Sequence, residues 1–243
     1  MHTYAIGDIH GHLALLEKVH DWILQDIARY GQGPTVHVGD LVDRGADSRG
    51  VVDFLIAGLQ TGKDWVVLKG NHDRMFTKYL TNMHDQDQGL RADLSYLHPR
   101  IGGATTLASY GVINAADRPL APVHAEAVAA VPMHHRRFLE DLPTSFVRGD
   151  AIFVHAGIRP GIPLRNQSET DLLWIRKEFL ESRSDHGALV VHGHTAIERP
   201  THYGNRVNID SSAAYGGPLS VVVIDGKDVF HLTATGRVPL PAV

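Results

Sequence analysis

Short apolar runs that end in glycine and polar residues recur along the first third of the chain. Residues 3–6, 34–38 and 65–68 each read as a short buried strand. Each run is followed directly by a glycine-containing turn that carries charged or polar side chains. The pattern therefore predicts three buried strands with polar residues just past their carboxyl ends.

Helical spacing appears between these strands. Apolar residues recur three and four positions apart in a stretch that predicts an amphipathic helix ending near Gly31, and residues 48–60 predict a second helix. The residues that carry the first helical pattern are Leu16, Val19, Ile23 and Ile27. Alternation of strands and helices of this kind predicts parallel βαβ units.

The strand pattern resumes near residue 151. Residues 151–154 and 188–191 predict two more buried strands. Three later runs, 206–209, 219–224 and 229–232, are separated by Gly-rich or Asp-Gly turns. We expect these three to form a second, largely antiparallel sheet.

The stretch from about residue 77 to residue 140 differs from the rest. It contains polar segments, Gly102-Gly103 and an alanine-rich part, and it predicts a mainly helical cap beside the site. Its adjacent histidines, His134 and His135, diverge on any regular backbone, so an ordinary packing role is favoured over shared metal ligation.

Composition restricts the class of protein. The chain has 243 residues, with 43% hydrophobic and 21% charged residues, which predicts one α/β domain over residues 1–243. A net charge of −4 gives no general attraction to nucleic acid or to an anionic membrane. With no cysteine, any metal must be held by His, Asp or Asn. The first residues lead directly into a motif, and no run of 18 apolar residues occurs, so we expect a cytoplasmic protein.

The candidate chemistry is concentrated at the strand ends. The loop Gly39–Gly45 holds two carboxylates and a guanidinium, although Asp43 and Arg44 alone could be a solvated ion pair. Four further clusters follow apolar runs: Gly7-Asp8-Ile9-His10-Gly11, Gly70-Asn71-His72-Asp73, His155-Ala156-Gly157 and His192-Gly193-His194. Together these motifs resemble the calcineurin-like metallophosphoesterases. The ending Asp43-Arg44-Gly45 resembles the serine/threonine phosphoprotein phosphatase branch, in its compact bacterial and phage form.

The resemblance covers nearly the whole chain and implies a β-sandwich flanked by helices, with two divalent metals. By this resemblance Asp40 bridges the metals. The first metal is also bound by Asp8 and His10, and the second by Asn71, His155 and His194. Asn71 alone could instead be a turn residue that caps the next helix.

His194 is the histidine that follows glycine, as in the family. His192 is expected to support the ligands without binding a metal. Nuclease-type relatives carry another histidine two residues after the ligand, where this chain has Ala196, which favours the phosphatase branch.

The resemblance also implies the catalytic roles. A water activated by both metals attacks phosphorus, and His72 protonates the leaving oxygen while Asp43 holds its other nitrogen. Arg44 clamps the phosphate oxygens, and Arg176 matches a second phosphate-binding arginine. Arg176 could equally be a solvated residue of the helix that the capping box at residue 168 begins. Tyr215 would line the mouth of the site, although an aromatic residue in a turn needs no such role.

These features predict a metal-dependent phosphomonoester hydrolase that acts on phosphoserine or phosphothreonine in proteins and peptides, with phosphotyrosine and small aryl phosphates as further substrates. Manganese is the expected ion, while Fe, Zn, Co and Ni also suit the ligands. The first alternative is a symmetrical diadenosine tetraphosphate hydrolase acting on dinucleoside polyphosphates, a group whose central motif ends Ala-Arg-Gly. The second is a regulatory binding module on a degenerate phosphatase fold, which the intact ligand set disfavours. Neither nucleic acid nor membrane is an expected partner.

Overall fold

The computed structural model of the protein describes residues 2–243, which form eleven β-strands and eight α-helices. The strands are β1 (His2–Ile6), β2 (Thr35–His37), β3 (Trp65–Val67), β4 (Ser145–Arg148), β5 (Ala151–Val154), β6 (Leu189–His192), β7 (Thr201–His202), β8 (Arg206–Asn208), β9 (Val221–Asp225), β10 (Asp228–Thr233) and β11 (Gly236–Pro239). The helices are α1 (Leu13–Tyr30), α2 (Ser48–Gln60), α3 (Asn71–Thr81), α4 (Gly103–Ser109), α5 (Leu120–Ala130), α6 (Met133–Glu140), α7 (Glu169–Trp174) and α8 (Lys177–Leu180).

The strands form two mixed sheets. The first has the order β11-β10-β9-β1-β2-β3 and the second has the order β4-β5-β6-β8-β7. In the first sheet β1, β2 and β3 are parallel, with Tyr4 opposite Thr35 and Val36 opposite Val66. The predicted βαβ units are therefore confirmed, with α1 and α2 as the crossover helices. In the second sheet β5, β6 and β8 are parallel.

The prediction that residues 206–232 form a sheet of their own was wrong. β8 lies in the second sheet, whereas β9 and β10 join the first sheet, where β9 pairs antiparallel with β1 and His2 lies opposite Asp225. The reason is that β9 is apolar on both faces. Val221 and Val223 pack on the helices while Val222 and Ile224 face the other sheet, and such a strand fits either sheet equally well.

The core consists of three layers that follow from strand alternation. Ala5 of β1 and Phe153 of β5 lie between the two sheets, where each is fully buried. Tyr4 and Ile6 point to the opposite face, against α1 and α2. Val154 points away from the sandwich, onto α7 and α8. The structure is thus a β-sandwich flanked by helices, as the resemblance implied.

Residues 77–140 are only partly helical. α3 continues to Thr81, and α4, α5 and α6 pack on α2 and α3. Residues 82–102, from here on the rim segment, contain no helix or strand, and part of this segment lines the candidate site. Within residues 2–243 no helix is both long and apolar enough to cross a bilayer.

Candidate metal centre

The predicted ligands follow the carboxyl ends of parallel strands from both sheets. Since the sheets pack face to face, these ends meet at one edge of the sandwich. Asp8 and His10 follow β1, Asp40 follows β2, Asn71 and His72 follow β3, His155 follows β5, and His194 follows β6. All seven side chains are buried.

One group of ligand atoms surrounds Asn71. Its Oδ1 lies 2.9 Å from His155 Nε2 and 2.8 Å from His194 Nδ1. His155 Nδ1 donates to the carbonyl oxygen of Val38 at 3.0 Å, so a neutral ring leaves Nε2 with a lone pair. Burial lowers the pKa of His155, which favours that neutral ring. A nitrogen lone pair then faces an amide oxygen, and a cation between them would satisfy both.

His194 shows the same mismatch. Burial lowers its pKa well below the usual value, and His194 Nε2 is buried without a hydrogen-bond partner among residues 2–243. If Nε2 carries the proton, Nδ1 presents a second lone pair to Asn71 Oδ1. The donor set therefore fits a divalent metal ion held by imidazole nitrogen and amide oxygen.

The second group lies around His10. His10 Nδ1 donates to the carbonyl oxygen of Val42 at 2.9 Å, which leaves Nε2 facing Asp40 Oδ2 at 3.3 Å. The positive charge at this point is the Arg44 guanidinium, whose Nη1 donates to His10 Nε2 at 2.7 Å. The ligand atoms of His10, Asp40 and His72 all lie within 4.8 Å of one another, so they could also hold a metal ion.

Asp40 belongs to both groups. Its Oδ1 lies 3.4 Å from His155 Nε2 and accepts the backbone N–H of His72 at 2.9 Å. Burial acts to raise the pKa of Asp40, but the surrounding histidines, His155 first, hold it well below the usual value. This position is the one that the predicted bridging carboxylate requires.

Asp8 is placed differently from the other ligands. Its carboxylate accepts the backbone N–H of His194 at 3.0 Å and belongs to neither group of ligand atoms. Gly193 permits this approach, since a Cβ there would lie 1.9 Å from Asp8 Oδ1. Burial, and then the nearby Asp210, raise the pKa of Asp8 well above its usual value. Its role as a ligand remains a prediction.

Asp210 is a site residue that the sequence reasoning missed. It follows β8, is buried, and lines the cleft described below. Burial raises its pKa to about 6. The signal was available, because Asp210 follows an apolar strand end as Asp8 and Asp40 do.

His72 and Asp43 form a buried dyad. His72 Nδ1 donates to Asp43 Oδ2 at 2.7 Å. Asp43 Oδ1 accepts from the Tyr96 hydroxyl at 2.8 Å and from Thr106 Oγ1 at 2.7 Å. No sequence signal pointed to Tyr96 or Thr106, since both lie more than 50 residues away from Asp43 along the chain. These contacts fix the carboxylate that orients His72.

The backbone at the site is strained. Left-handed φ values are unfavourable for residues other than glycine, and they persist only where surrounding structure enforces them. Five site residues adopt them: His10 (46°), Asp40 (51°), Asp43 (73°), Arg44 (70°) and His194 (65°). Asp73 helps to enforce the turns, since its buried carboxylate accepts the N–H groups of Leu41 and Gly70 at 2.9 and 2.8 Å.

A cleft of about 680 Å³ opens beside these groups. Arg176 lines it and donates from Nη1 to Thr195 Oγ1 at 3.3 Å. The helix predicted to include Arg176 was too long, because α7 ends at Trp174. Tyr215 also lines the cleft, is 67% exposed, and has its ring centroid 5.2 Å from the Arg44 guanidinium.

His192 does not line the cleft. Its Nδ1 donates to the carbonyl oxygen of Gly193 at 3.0 Å, and its Nε2 lies 3.4 Å from Arg206 Nη1. Burial lowers its pKa to about 3. It is therefore a neutral ring that braces the turn before His194.

His134 and His135 lie elsewhere, on α6. Together with Asp53 they bring three ligand atoms within 4.8 Å of one another. Both His135 nitrogens are already hydrogen-bonded, Nδ1 to the Tyr110 hydroxyl at 3.0 Å and Nε2 to Asp53 Oδ1 at 2.9 Å. This arrangement agrees with the packing role that the sequence favoured.

A two-sheet sandwich that brings imidazole, carboxylate and amide ligands together from successive strand ends has the architecture of a metallophosphoesterase. Residues 1–223 match the model of the calcineurin-like phosphoesterases, and the chain belongs to that family. Members of the family use a dinuclear divalent metal centre.

Two curated relatives differ in what they are named for. The chain is 28% identical to bis(5'-nucleosyl)-tetraphosphatase PrpE [asymmetrical] of Geobacillus thermodenitrificans, over 91% of this chain and 90% of the relative. It is 27% identical to serine/threonine-protein phosphatase 1 of Salmonella typhimurium, over 92% of each. Among solved structures, a cold-active protein tyrosine phosphatase superposes with a TM-score of 0.66 at 17% identity, over 99% of this chain and 79% of that one, which supports the fold alone.

Proposed function

We propose that the protein is a metal-dependent phosphomonoester hydrolase that removes phosphate from phosphoserine and phosphothreonine in proteins or peptides, with Mn²⁺ as the activating ion. Asp40 would bridge two ions, with Asp8 and His10 on one side and Asn71, His155 and His194 on the other. When bound, these ions supply Lewis-acid activation of water and neutralise charge on the phosphate.

The buried dyad of His72 and Asp43 carries this proposal. An alkoxide leaving group is strongly basic and needs a proton as its bond to phosphorus breaks. His72 lies in the cleft with Nδ1 held by Asp43 at 2.7 Å, so Nε2 can present a proton to that oxygen. Such a device is most valuable for phosphoserine and phosphothreonine.

Arg44 would hold the phosphate that is cleaved. Its Nε is buried without a hydrogen-bond partner among residues 2–243, and the side chain lines the cleft. A phosphate oxygen is a suitable acceptor for such a donor. Arg176 would contribute a second guanidinium, and Tyr215, stacked near Arg44, would form part of the mouth.

Hydrolysis of dinucleoside polyphosphates is the second candidate. A cleft with several arginines favours it, as does the similarity to a tetraphosphatase of nearly equal length. That relative is named for asymmetrical cleavage, whereas the sequence suggested a symmetrical hydrolase as the alternative.

The leaving group separates the two candidates. We expect the Mn²⁺-loaded enzyme to hydrolyse phosphoserine peptides faster than diadenosine tetraphosphate at equal concentration. His72→Asn should lower kcat/KM on the peptide by about 10²- to 10⁴-fold. It should cost much less on nitrophenyl phosphate or on the dinucleotide, whose leaving groups need little protonation.

Metal content of the His72→Asn variant serves as the control and should stay at two ions per chain. Equal losses on all three substrates, or loss of metal, would show that His72 is a ligand or a positioning residue and not an acid. Preferential hydrolysis of the dinucleotide by the wild type would establish the second candidate instead.

A further inference from the structure

The cleft is positively charged although the chain as a whole carries a net charge of −4. Among residues 2–243, its lining includes four arginines and two acidic side chains. These are Arg44, Arg91, Arg100, Arg176, Asp40 and Asp210. Arg91 and Arg100 both come from the rim segment and have no role in the proposed hydrolysis.

Although it is irregular, the rim segment is joined directly to the loop that carries Asp43 and Arg44. The Tyr96 hydroxyl donates to Asp43 Oδ1 at 2.8 Å, and the Gly102 carbonyl oxygen accepts the Arg44 N–H at 3.4 Å. Gly102 has φ of +87°, and a Cβ there would lie 2.5 Å from Arg44 N. The segment therefore approaches the catalytic loop as closely as backbone allows.

The other end of the rim segment is fixed as well. Asp87 is buried and accepts two hydrogen bonds from the Arg74 guanidinium, at 2.6 and 2.8 Å. Gly89 packs on Trp174, since a Cβ at Gly89 would lie 2.3 Å from the indole ring. Arg91 and Arg100 lie between these fixed points, on a backbone that is already positioned for a ligand.

Both guanidinium groups are able to bind an anion. Arg91 pairs with Asp93 at 2.8 Å, but the two side chains are 65% and 59% exposed, and such pairs contribute little. Arg100 has no ion pair among the described residues, and it lies near enough to act with Arg91 in lowering the pKa of Asp93.

We propose that Arg91 and Arg100 form a second phosphate-binding subsite, which takes a further phosphate group of the same substrate beyond the one that is cleaved. A cavity of about 680 Å³ is in the range that holds small organic ligands and is larger than a single phosphate group needs. The second phosphate can belong to a nucleotide polyphosphate chain or to another phosphorylated residue of a peptide, since the chemistry is the same. The subsite depends on the proposed function only in that the scissile phosphate lies at the metal centre.

The test compares substrates that carry one phosphate with substrates that carry more. The wild type, Arg91→Ala/Arg100→Ala and the control Arg183→Ala are assayed with Mn²⁺; Arg183 is exposed and lies outside the cleft. The substrates are a phosphoserine peptide, the same peptide with a second phosphoserine two to four residues away, and diadenosine tetraphosphate.

We expect the ratio of kcat/KM for a two-phosphate substrate to kcat/KM for the single phosphopeptide to fall in the double variant by about tenfold for each arginine, mainly through KM. Arg183→Ala should leave the ratio unchanged, and 0.5 M salt should shrink the difference. A loss confined to the doubly phosphorylated peptide identifies a peptide substrate, and one confined to the dinucleotide identifies a nucleotide. An unchanged ratio for both would overturn the subsite.

Binding of inorganic tripolyphosphate and of orthophosphate, measured by calorimetry, tests the subsite independently of turnover. The wild type should bind tripolyphosphate at least tenfold more tightly than orthophosphate, and the double variant should lose this preference. If the preference is present but no phosphate ester is hydrolysed, the proposed function fails and the subsite stands. If the wild type shows no preference, the subsite is refuted whatever the enzyme hydrolyses.

Discussion

Two groups of buried histidines occur in this protein, and only one has the character of a metal site. At the strand ends, His10, His155 and His194 direct nitrogen atoms at other acceptors. On the helical side of the first sheet, His20 and His37 also bring their Nε2 atoms close, to 3.1 Å. In both groups burial lowers the histidine pKa.

The difference lies in the matching of donors and acceptors. His37 Nδ1 donates to the carbonyl oxygen of Val66 at 3.2 Å, so His37 Nε2 can accept the proton of His20 Nε2. Trp65 and Phe54 pack on the His20 ring, with centroids 4.4 and 5.2 Å away. This pair has no carboxylate, no unmatched acceptor and an ordinary backbone. Burial of histidine is therefore a poor guide to a metal site, while convergent lone pairs on strained backbone are a good one.

Asp40→Asn gives the largest expected effect, because it removes the one anionic ligand common to both groups of ligand atoms. Loss of an outer-shell partner alone typically costs 10- to 100-fold, so we expect a drop in kcat of about 10³-fold or more and weakened occupancy of both metal positions. Metal analysis after dialysis and turnover of nitrophenyl phosphate measure the two effects.

His20→Leu is the matched control for that experiment, since it removes a buried histidine from the closed pair and should leave two metal ions per chain. Two tightly bound ions and near wild-type turnover in Asp40→Asn would show that the metal centre has been placed wrongly.

Arg44 distinguishes the two groups further, because the pair of His20 and His37 has no cation facing its nitrogens. Arg44→Ala should raise KM and lower kcat, together reducing kcat/KM by about 10- to 100-fold, since charge-assisted hydrogen bonds to phosphate strengthen in the transition state. Arg44→Lys should recover only part of this loss, because lysine keeps the charge and lacks the fork. Steady-state kinetics on nitrophenyl phosphate measure both, and complete recovery by lysine would mean that Arg44 acts as a simple point charge.

The pair of His20 and His37 should appear in the acid stability of the fold. Burial lowers the pKa of His20 to about 2 and that of His37 to about 4, whereas unfolded histidine has a pKa of about 6.5. Below pH 6.5 the unfolded chain binds protons that the folded chain does not, so their contribution is complete above pH 6.5 and is lost as the pH falls. The slope is about 1.4 kcal/mol per pH unit for each histidine.

Urea unfolding between pH 6 and 4.5 measures this slope. His20→Leu should reduce it by about 1.4 kcal/mol per pH unit, whereas the exposed His84→Leu should not change it. An unchanged slope in His20→Leu would mean that His20 is already charged in the folded protein.

The parts of the site that follow from sequence are those with a local cause. A short apolar run ending in glycine and a polar residue marked Asp40, Asn71 and His155, and the family motif added His194. The same local pattern was present at Asp210 and was overlooked. Tyr96 could not have been found in this way, because its contact with Asp43 depends on the path of an irregular segment that no periodicity describes.

The fold shows the same division. Strands and helices of the first 81 residues were predicted nearly to their ends, because apolar spacing and turns determine them locally. The sheet to which β9 belongs depends on a partner more than 200 residues away, so it could not be predicted from the pattern of β9 itself.

That distant pairing has a consequence for synthesis of the protein. β1 lies in the middle of the first sheet, and its neighbours are β2 at Thr35–His37 and β9 at Val221–Asp225. A ribosome releases β1 first but supplies β9 only when nine-tenths of the chain has been made, so one side of β1 keeps unpaired N–H and C=O groups throughout translation. The loop with Asp8 and His10 follows β1, and the metal centre therefore becomes complete only as the chain is finished.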